Sequence, residues 1–423
     1  MFIVCSKNSK KLYLIPKDIR ILLRKNKVRF YHSREEPGEI ENIKNSLGRF
    51  SNMKRKLVSA LVCTAMVATM VAGCGSSSSS TSTDAAAEET TDDAAAEDTA
   101  DDVAADDTAA ADGDVITIGF AQVGHESDWR TASTQSCQEV FSAENGYDLQ
   151  FVDCDNDSAT QLEAVRGFIE QDVDYIIIDP IVSTGWDTVL TECEDAGIPV
   201  IVIDRTIDDS DKYVSWVGSN FKTEGLAAGE WLKAYAEAKG ITEINALVIE
   251  GSTGASATIG RTEGFKEIAD REGWTIVDSQ SGDFTQDGGQ EVMESYCKSY
   301  EGKFNVVVCQ NDNEAFGAMD AMKAAGVSYG VDGDVILVSF DACTAGLQYV
   351  QSGDITADFE CNPLAAPFVE EVIKQLQAGE TPEKEVYMEE HWFVNEDILS
   401  EITVDGETQP LTVVTDDIIA AQY

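Results

Sequence analysis

Polar residues suited to holding a small molecule recur just after short apolar runs in this chain. His125-Glu126-Ser127-Asp128-Trp129-Arg130 follows one run, Asp204-Arg205 follows VIVI, Asn311-Asp312 comes just after VVVC, and Asp341 follows VSF; Arg261 lies within ATIGRTEGF. Asp, Asn and Arg have planar ends that make paired hydrogen bonds to neighbouring hydroxyls. An indole such as Trp129 covers an apolar ring face and keeps water away. Together they suit a neutral, polyhydroxylated ligand. Asp204 beside Arg205 would be worth little as a surface ion pair. At a strand end of an open α/β sheet the same pair reads as a ligand contact. Trp186 divides evenly between packing and a cleft wall, while Trp216, Trp231 and Trp274 lie on strand or helix patterns and read as core. The sequence leaves open which way His125, Asp128 and Asp312 point. Asp153, Asp155 and Asp157 have the spacing of a calcium loop, but Ser158 stands where a Gly is needed and Ala164 where a Glu is needed, so a solvated loop is expected.

The elements that must position these groups alternate regularly. Strands are expected at Ile116–Gln122, Leu149–Asp153, Tyr175–Asp179 and Val200–Asp204, with helices at Thr131–Asn145, Thr160–Gln171 and Trp186–Ala196. Short continuous apolar strands between amphipathic helices imply a parallel sheet covered on both faces. The pattern then restarts with a strand at Val214–Val217 and runs on through Val335–Phe340, which gives a second βα set. Ile355–Glu360, a helix at Phe368–Leu376 and Val386–Val394 are expected to cross between the two sets. The expected fold is therefore α/β: two Rossmann-like lobes with parallel sheets, joined by a multi-strand hinge around a ligand cleft.

Several strings resemble the ribose-type periplasmic sugar-binding proteins of ABC transporters, whose fold is shared with lac-repressor-like ligand cores (type I periplasmic binding proteins). They are GFAQVGHESDWR (119–130), DPIVSTGW (179–186), VIDRTID (202–208), Glu250–Ser256, SQSGDFT with EVMES (279–295), QND (310–312) and SFDA (339–342), and they resemble the galactofuranose-binding branch most. The likeness covers roughly 115–395. It implies that Glu126, Trp129, Arg130, Asp204, Arg205, Arg261, Asn311 and Asp341 contact a monosaccharide, with no cofactor and no metal. Cys361 stands where ribose binders place a Gln, a departure that would shift preference between sugars.

Upstream of the globular part, Lys54-Arg55-Lys56 precedes an uncharged apolar run from Leu57 that ends Val71-Ala72-Gly73-Cys74. That is the anatomy of a bacterial lipoprotein signal, with Cys74 the lipidated residue and the outer face of a membrane the destination. The expected organisation is residues 1–52 as sequence upstream of the natural start at Met53, 53–74 as signal, 75–114 as acidic linker and 115–423 as sugar-binding domain. Within that domain one lobe spans about 115–215 plus 362–385 and the other about 219–360 plus 386–423. Half of the thirty Lys and Arg residues precede Leu57 with five acids, which leaves the rest of the chain near −57. Such a field repels nucleic acid and anionic surfaces. Residues 84–114, almost wholly Asp, Glu, Ala and Thr, have too little apolar surface to fold. Seven cysteines beyond Cys74, with no CxxC pair, read as small core hydrophobes rather than a disulfide framework.

An enzyme is disfavoured, since His125 and His391 are the histidines beyond Cys74 and neither GxSxG nor HExxH occurs. A DNA-binding regulator is disfavoured by the export signal and the acidic linker. The expected protein is a monomeric, lipid-anchored carrier that delivers a monosaccharide to an ABC permease and its ATPase subunit. A sensor presenting the same ligand to a membrane receptor or kinase is the alternative.

Overall fold

The computed structural model describes residues 115–423 and four short strands near the N-terminus. The latter are β1 (Phe2–Cys5), β2 (Leu12–Ile15), β3 (Ile19–Arg24) and β4 (Lys27–His32), paired antiparallel as β1-β2 and β3-β4 within a unit that ends at Ala110. Strands were not expected there. The signal, Cys74 and the acidic linker lie outside the described residues.

The second unit begins at Ala111. Its first lobe is built on β5 (Ile116–Gln122), β6 (Tyr147–Asp153), β7 (Tyr175–Ile178), β8 (Val200–Ile203), β9 (Ser215–Gly218) and β15 (Glu385–Tyr387). The strand order is β15-β9-β8-β7-β5-β6, parallel throughout. Alternate residues of each strand face opposite ways. Ile176 and Ile178 therefore pack against α2 (Ser158–Gln171) and α3 (Asp187–Ala196) through Val165, Phe168 and Leu190. Ile177, Ile201 and Phe120 pack on the other face with Phe141, Val369 and Ile373, beneath α1 (Asp128–Val140) and α9 (Ala366–Ala378). Each such side chain contributes roughly 1.5–3 kcal/mol through its burial.

The second lobe carries β10 (Asn245–Glu250), β11 (Thr275–Ser281), β12 (Val306–Cys309), β13 (Ile336–Asp341), β14 (Ala357–Glu360), β16 (Trp392–Val394), β17 (Glu401–Val404) and β18 (Glu407–Val413), ordered β11-β10-β12-β13-β14-β16-β18-β17. The first five are parallel; β16 pairs antiparallel with β14, and the β17-β18 hairpin closes that edge. Trp231 of α4 (Phe221–Lys239) and Phe265 of α5 (Ser256–Glu272) pack on one face. Met293 of α6 (Gln286–Ser299), Met319 of α7 (Asp312–Ala325) and Leu347 of α8 (Thr344–Ser352) pack on the other. A final helix, α10 (Asp416–Ala421), follows.

Two placements differ from the sequence reading. β9, expected to open the second set, instead extends the first sheet beside β8. The single strand expected over Val386–Val394 is two, β15 in the first sheet and β16 in the second. The chain thus passes between lobes three times: after β9, after β14 and after β15. Backbone bonds lace these crossings, from Met388 N to Gly218 O (3.0 Å) and from Glu360 N to His391 O (3.0 Å).

Candidate functional site

On the first lobe the site grows from strand ends. Ser127 caps α1 by accepting from Arg130 N at 3.1 Å, so Trp129 and Arg130 leave the first helical turn together. Arg130 donates from Nε to Glu126 Oε1 at 2.9 Å, reaches Asp204 Oδ2 at 3.0 Å and pairs with Asp179. Arg205 donates to Ile181 O at 3.0 Å and lies 3.5 Å from Glu126 Oε1. Burial alone would push Glu126 up, but the guanidiniums of Arg130 and Arg205 outweigh it and hold it below the ordinary carboxylate range. Asp179, at the bottom of the network, is pushed up by burial. Asp204 sits just past β8 with φ +57°, its carbonyl fixed by Trp216 Nε1 at 3.0 Å.

The second lobe repeats the device with fewer cations. α4 and α5 meet so closely that a Cβ at Gly225 would run into the Arg261 carbonyl, and one at Gly264 into the Lys222 carbonyl. That contact sets Arg261. Its Nε donates to Glu224 Oε2 at 2.6 Å, one terminal nitrogen lies 3.2 Å from Asp341 Oδ1, and the other donates to Gln310 O. Burial pushes Glu224 and Asp341 above the ordinary range in spite of that guanidinium. Asp341 ends β13 at φ +99°, the counterpart of Asp204. Asn311 caps α7, accepting from Glu314 N at 2.8 Å and donating to Phe284 O at 2.9 Å. One amide N–H and an oxygen lone pair are what it still offers a ligand.

All eight residues named from sequence line one cleft, joined by Ser127, Ala257, Phe284 and Cys361. The cleft is closed. Trp129 Nε1 donates to Cys361 O at 2.6 Å, Thr206 N to Ser256 Oγ at 2.8 Å, Ser183 N to Gly254 O at 3.1 Å and Asp128 N to Asn313 Oδ1 at 3.0 Å. The cavity between the lobes is about 20 Å³. Small-molecule sites are many times larger, so a ligand reaches these side chains only when the lobes part. Charges in the cleft are already paired with one another, so a neutral ligand adds no unbalanced charge; carboxylates, guanidiniums and an amide remain to bond its hydroxyls.

Other sequence assignments resolve by position. Trp186 is core, its Nε1 bonded to Val182 O at 2.8 Å. His125 points outward to Asp153 at 2.9 Å. Asp157 caps α2, so that acidic loop is a helix start. Asp312 is buried below the cleft, accepting from Ser339 Oγ at 2.6 Å and Cys343 N at 2.8 Å. Four residues of the network were not singled out from sequence. Asp179 read as a strand end and Glu224 as the first residue of a helix expected over Glu224–Lys239; Ser127 and Phe284 lay within the strings GFAQVGHESDWR and SQSGDFT without a role of their own.

Two doubly wound lobes, three crossings and a polar cleft at the strand ends define a hinged binding protein of the periplasmic type. A model of the periplasmic binding protein domain matches residues 118–365, and this chain belongs to that family, which consists of binding proteins rather than enzymes. It is 38% identical over 275 residues to the Galactofuranose-binding protein YtfQ of Escherichia coli (strain K12), covering 64% of this chain and 85% of that one. A crystal structure from Mycobacterium smegmatis in complex with beta-D-fucofuranose superposes with TM-score 0.63 at 41% identity, covering 66% of this chain and 91% of that one. The periplasmic binding component of the arabinose ABC transporter of Shewanella sp. ANA-3, bound to alpha and beta-L-arabinofuranose, gives TM-score 0.61 at 36% identity, with 66% and 91% covered.

Proposed function

We propose that this protein is the extracytoplasmic solute-binding component of an ABC sugar importer. It closes on one monosaccharide, galactofuranose or a related pentose or hexose, and delivers it to a permease driven by an ATPase subunit. Lipidation at Cys74 holds it to the outer face of the membrane as a monomer. The observation that carries the reading is the cleft itself: two opposed sets of planar polar groups, each built on buried arginine–carboxylate pairs, with Trp129 between them. Its relatives with furanose sugars in their names and structures support it. Closure is favoured because only the closed state lets one ligand bond both sets.

Calorimetry with galactofuranose, galactopyranose, arabinose and ribose, on protein freed of bound sugar by unfolding and refolding, tests it. One-to-one tight binding of a furanose-forming sugar is expected. Heat from none of the four would move the ligand to another class.

A further inference from the structure

The three crossings between lobes bring together two carboxyl groups and a thiol, with Ser219 accepting from the Cys361 sulfur at 3.5 Å and also bonded to Glu390. Glu224 stands in the first turn of α4, just after the first crossing; Cys361 follows β14 in the second; Glu390 lies in the third. One carboxylate oxygen each of Glu224 and Glu390 and the Cys361 sulfur lie within 4.8 Å of one another. Glu224 is fully buried. Its Oε2 takes the Arg261 hydrogen bond, but Oε1 has no partner, and neither does Oε1 of Glu390. Two carboxylate oxygens that face each other are costly unless a proton or a cation lies between them. Arg261 is already divided between Glu224 and Asp341, and it is the basic group that acts on Glu390.

We propose that Glu224, Cys361 and Glu390 form a binding site for a divalent cation of the zinc class, one ligand from each crossing. Two carboxylates and a thiolate supply three of the four positions such an ion takes, and the thiolate disfavours the hard ions magnesium and calcium. A pocket of about 430 Å³ lined by Asn220, Thr223, Glu390 and His391 opens onto Glu390, one of the three ligands, from outside the cleft. Binding breaks the Cys361 S–H bond, forms a sulfur–metal bond and releases that proton, together with the one held between the two glutamates, to the buffer. The bound ion ties the three crossings where the lobes pivot, so metal and sugar affect each other's affinity by the same factor.

The test is a titration of the full-length, reduced protein with Cd²⁺, followed by the ultraviolet thiolate-to-metal band, and with Zn²⁺ by calorimetry. One tight equivalent with the thiolate band is expected. Cys361→Ser should abolish the band, and Glu390→Gln should keep it at saturation while weakening zinc by about tenfold or more; circular dichroism checks that both variants fold. A band that survives Cys361→Ser overturns the site. So do loose multiple equivalents without a band, which would be surface acids binding adventitiously. A wild-type protein that shows no band and binds sugar independently of zinc puts a shared proton between the glutamates instead. None of the metal readouts requires sugar, so their failure leaves the carrier reading intact, and absence of sugar binding leaves the metal site standing.

Discussion

On the first lobe two arginines, Arg130 and Arg205, share Glu126, Asp179 and Asp204; on the second, Arg261 alone serves Glu224 and Asp341. Below the cleft the second lobe buries three more acids that form no ion pair among the described residues, Asp312, Asp358 and Glu314. Burial pushes all three up. Asp358 and Asp312 hydrogen-bond to each other, and Asp358 also accepts from Ala342 N at 3.2 Å. The same cleft thus has one wall with cationic redundancy and one that depends on a single guanidinium and on bound protons. That asymmetry says where the molecule is fragile: the second lobe has no spare.

The largest test of this difference is removal of one arginine from each wall. Arg261→Ala leaves Glu224 and Asp341 buried without a cation, which costs about 3–5 kcal/mol, and should abolish most sugar binding by calorimetry. Arg205→Ala leaves Arg130 in place and should cost less; equal losses would erase the contrast. Asp204→Ala removes the carboxylate that faces both first-lobe arginines and should also lose most binding with the fold intact. Near-normal affinity in both Asp204→Ala and Arg261→Ala would place the site elsewhere. Next comes Gly225→Ala, whose Cβ meets the Arg261 carbonyl. Overpacking there should cost about 1–3 kcal/mol in denaturant unfolding and weaken binding through the displaced Arg261.

A smaller effect sharpens the proton side. Because Asp312 and Asp358 bind protons more tightly folded than unfolded, their contribution is fully present below the ordinary aspartate range and is lost as pH rises above it. Unfolding free energy should fall as pH climbs from about 4 toward 8. Asp358→Asn keeps the acceptor for Ala342 N and offers Asp312 a permanent donor. It should flatten that slope and raise stability at the alkaline end by on the order of 1 kcal/mol. An unchanged slope would mean this pair does not carry the proton. The smallest effect is on the first wall: Ser127→Ala removes the α1 cap and should cost about 1 kcal/mol of stability.

The strand ends were legible because each apolar run stops abruptly at a polar group. Asp204, Asn311 and Asp341 stand at or just beyond such stops, and the structure places all three on the cleft. Helix starts were less legible. The helical period runs over Gly260–Glu272 and Gln290–Tyr300, yet α5 begins at Ser256 and α6 at Gln286, because Ser-Ala-Thr and Gln-Asp-Gly-Gly carry no apolar period. The allocation of β9 and the split between β15 and β16 were invisible for a different reason. An apolar strand reads the same whichever sheet it joins, and partner choice is a tertiary matter. Nor does sequence announce that Phe284 would sit at φ +61° with Arg205 5.3 Å above its ring.

The interleaving of the chain also has a consequence for biosynthesis. The first sheet lacks its edge strand, and one of its faces lacks the α9 cover, until residues 366–387 have emerged; the second lacks β16 and its closing hairpin until residue 413. Neither half can therefore reach its final form while the ribosome is still partway along the message. The polypeptide stays threadable until nearly its whole length has been made, a useful property for a member of a family that does its work on the far side of a membrane.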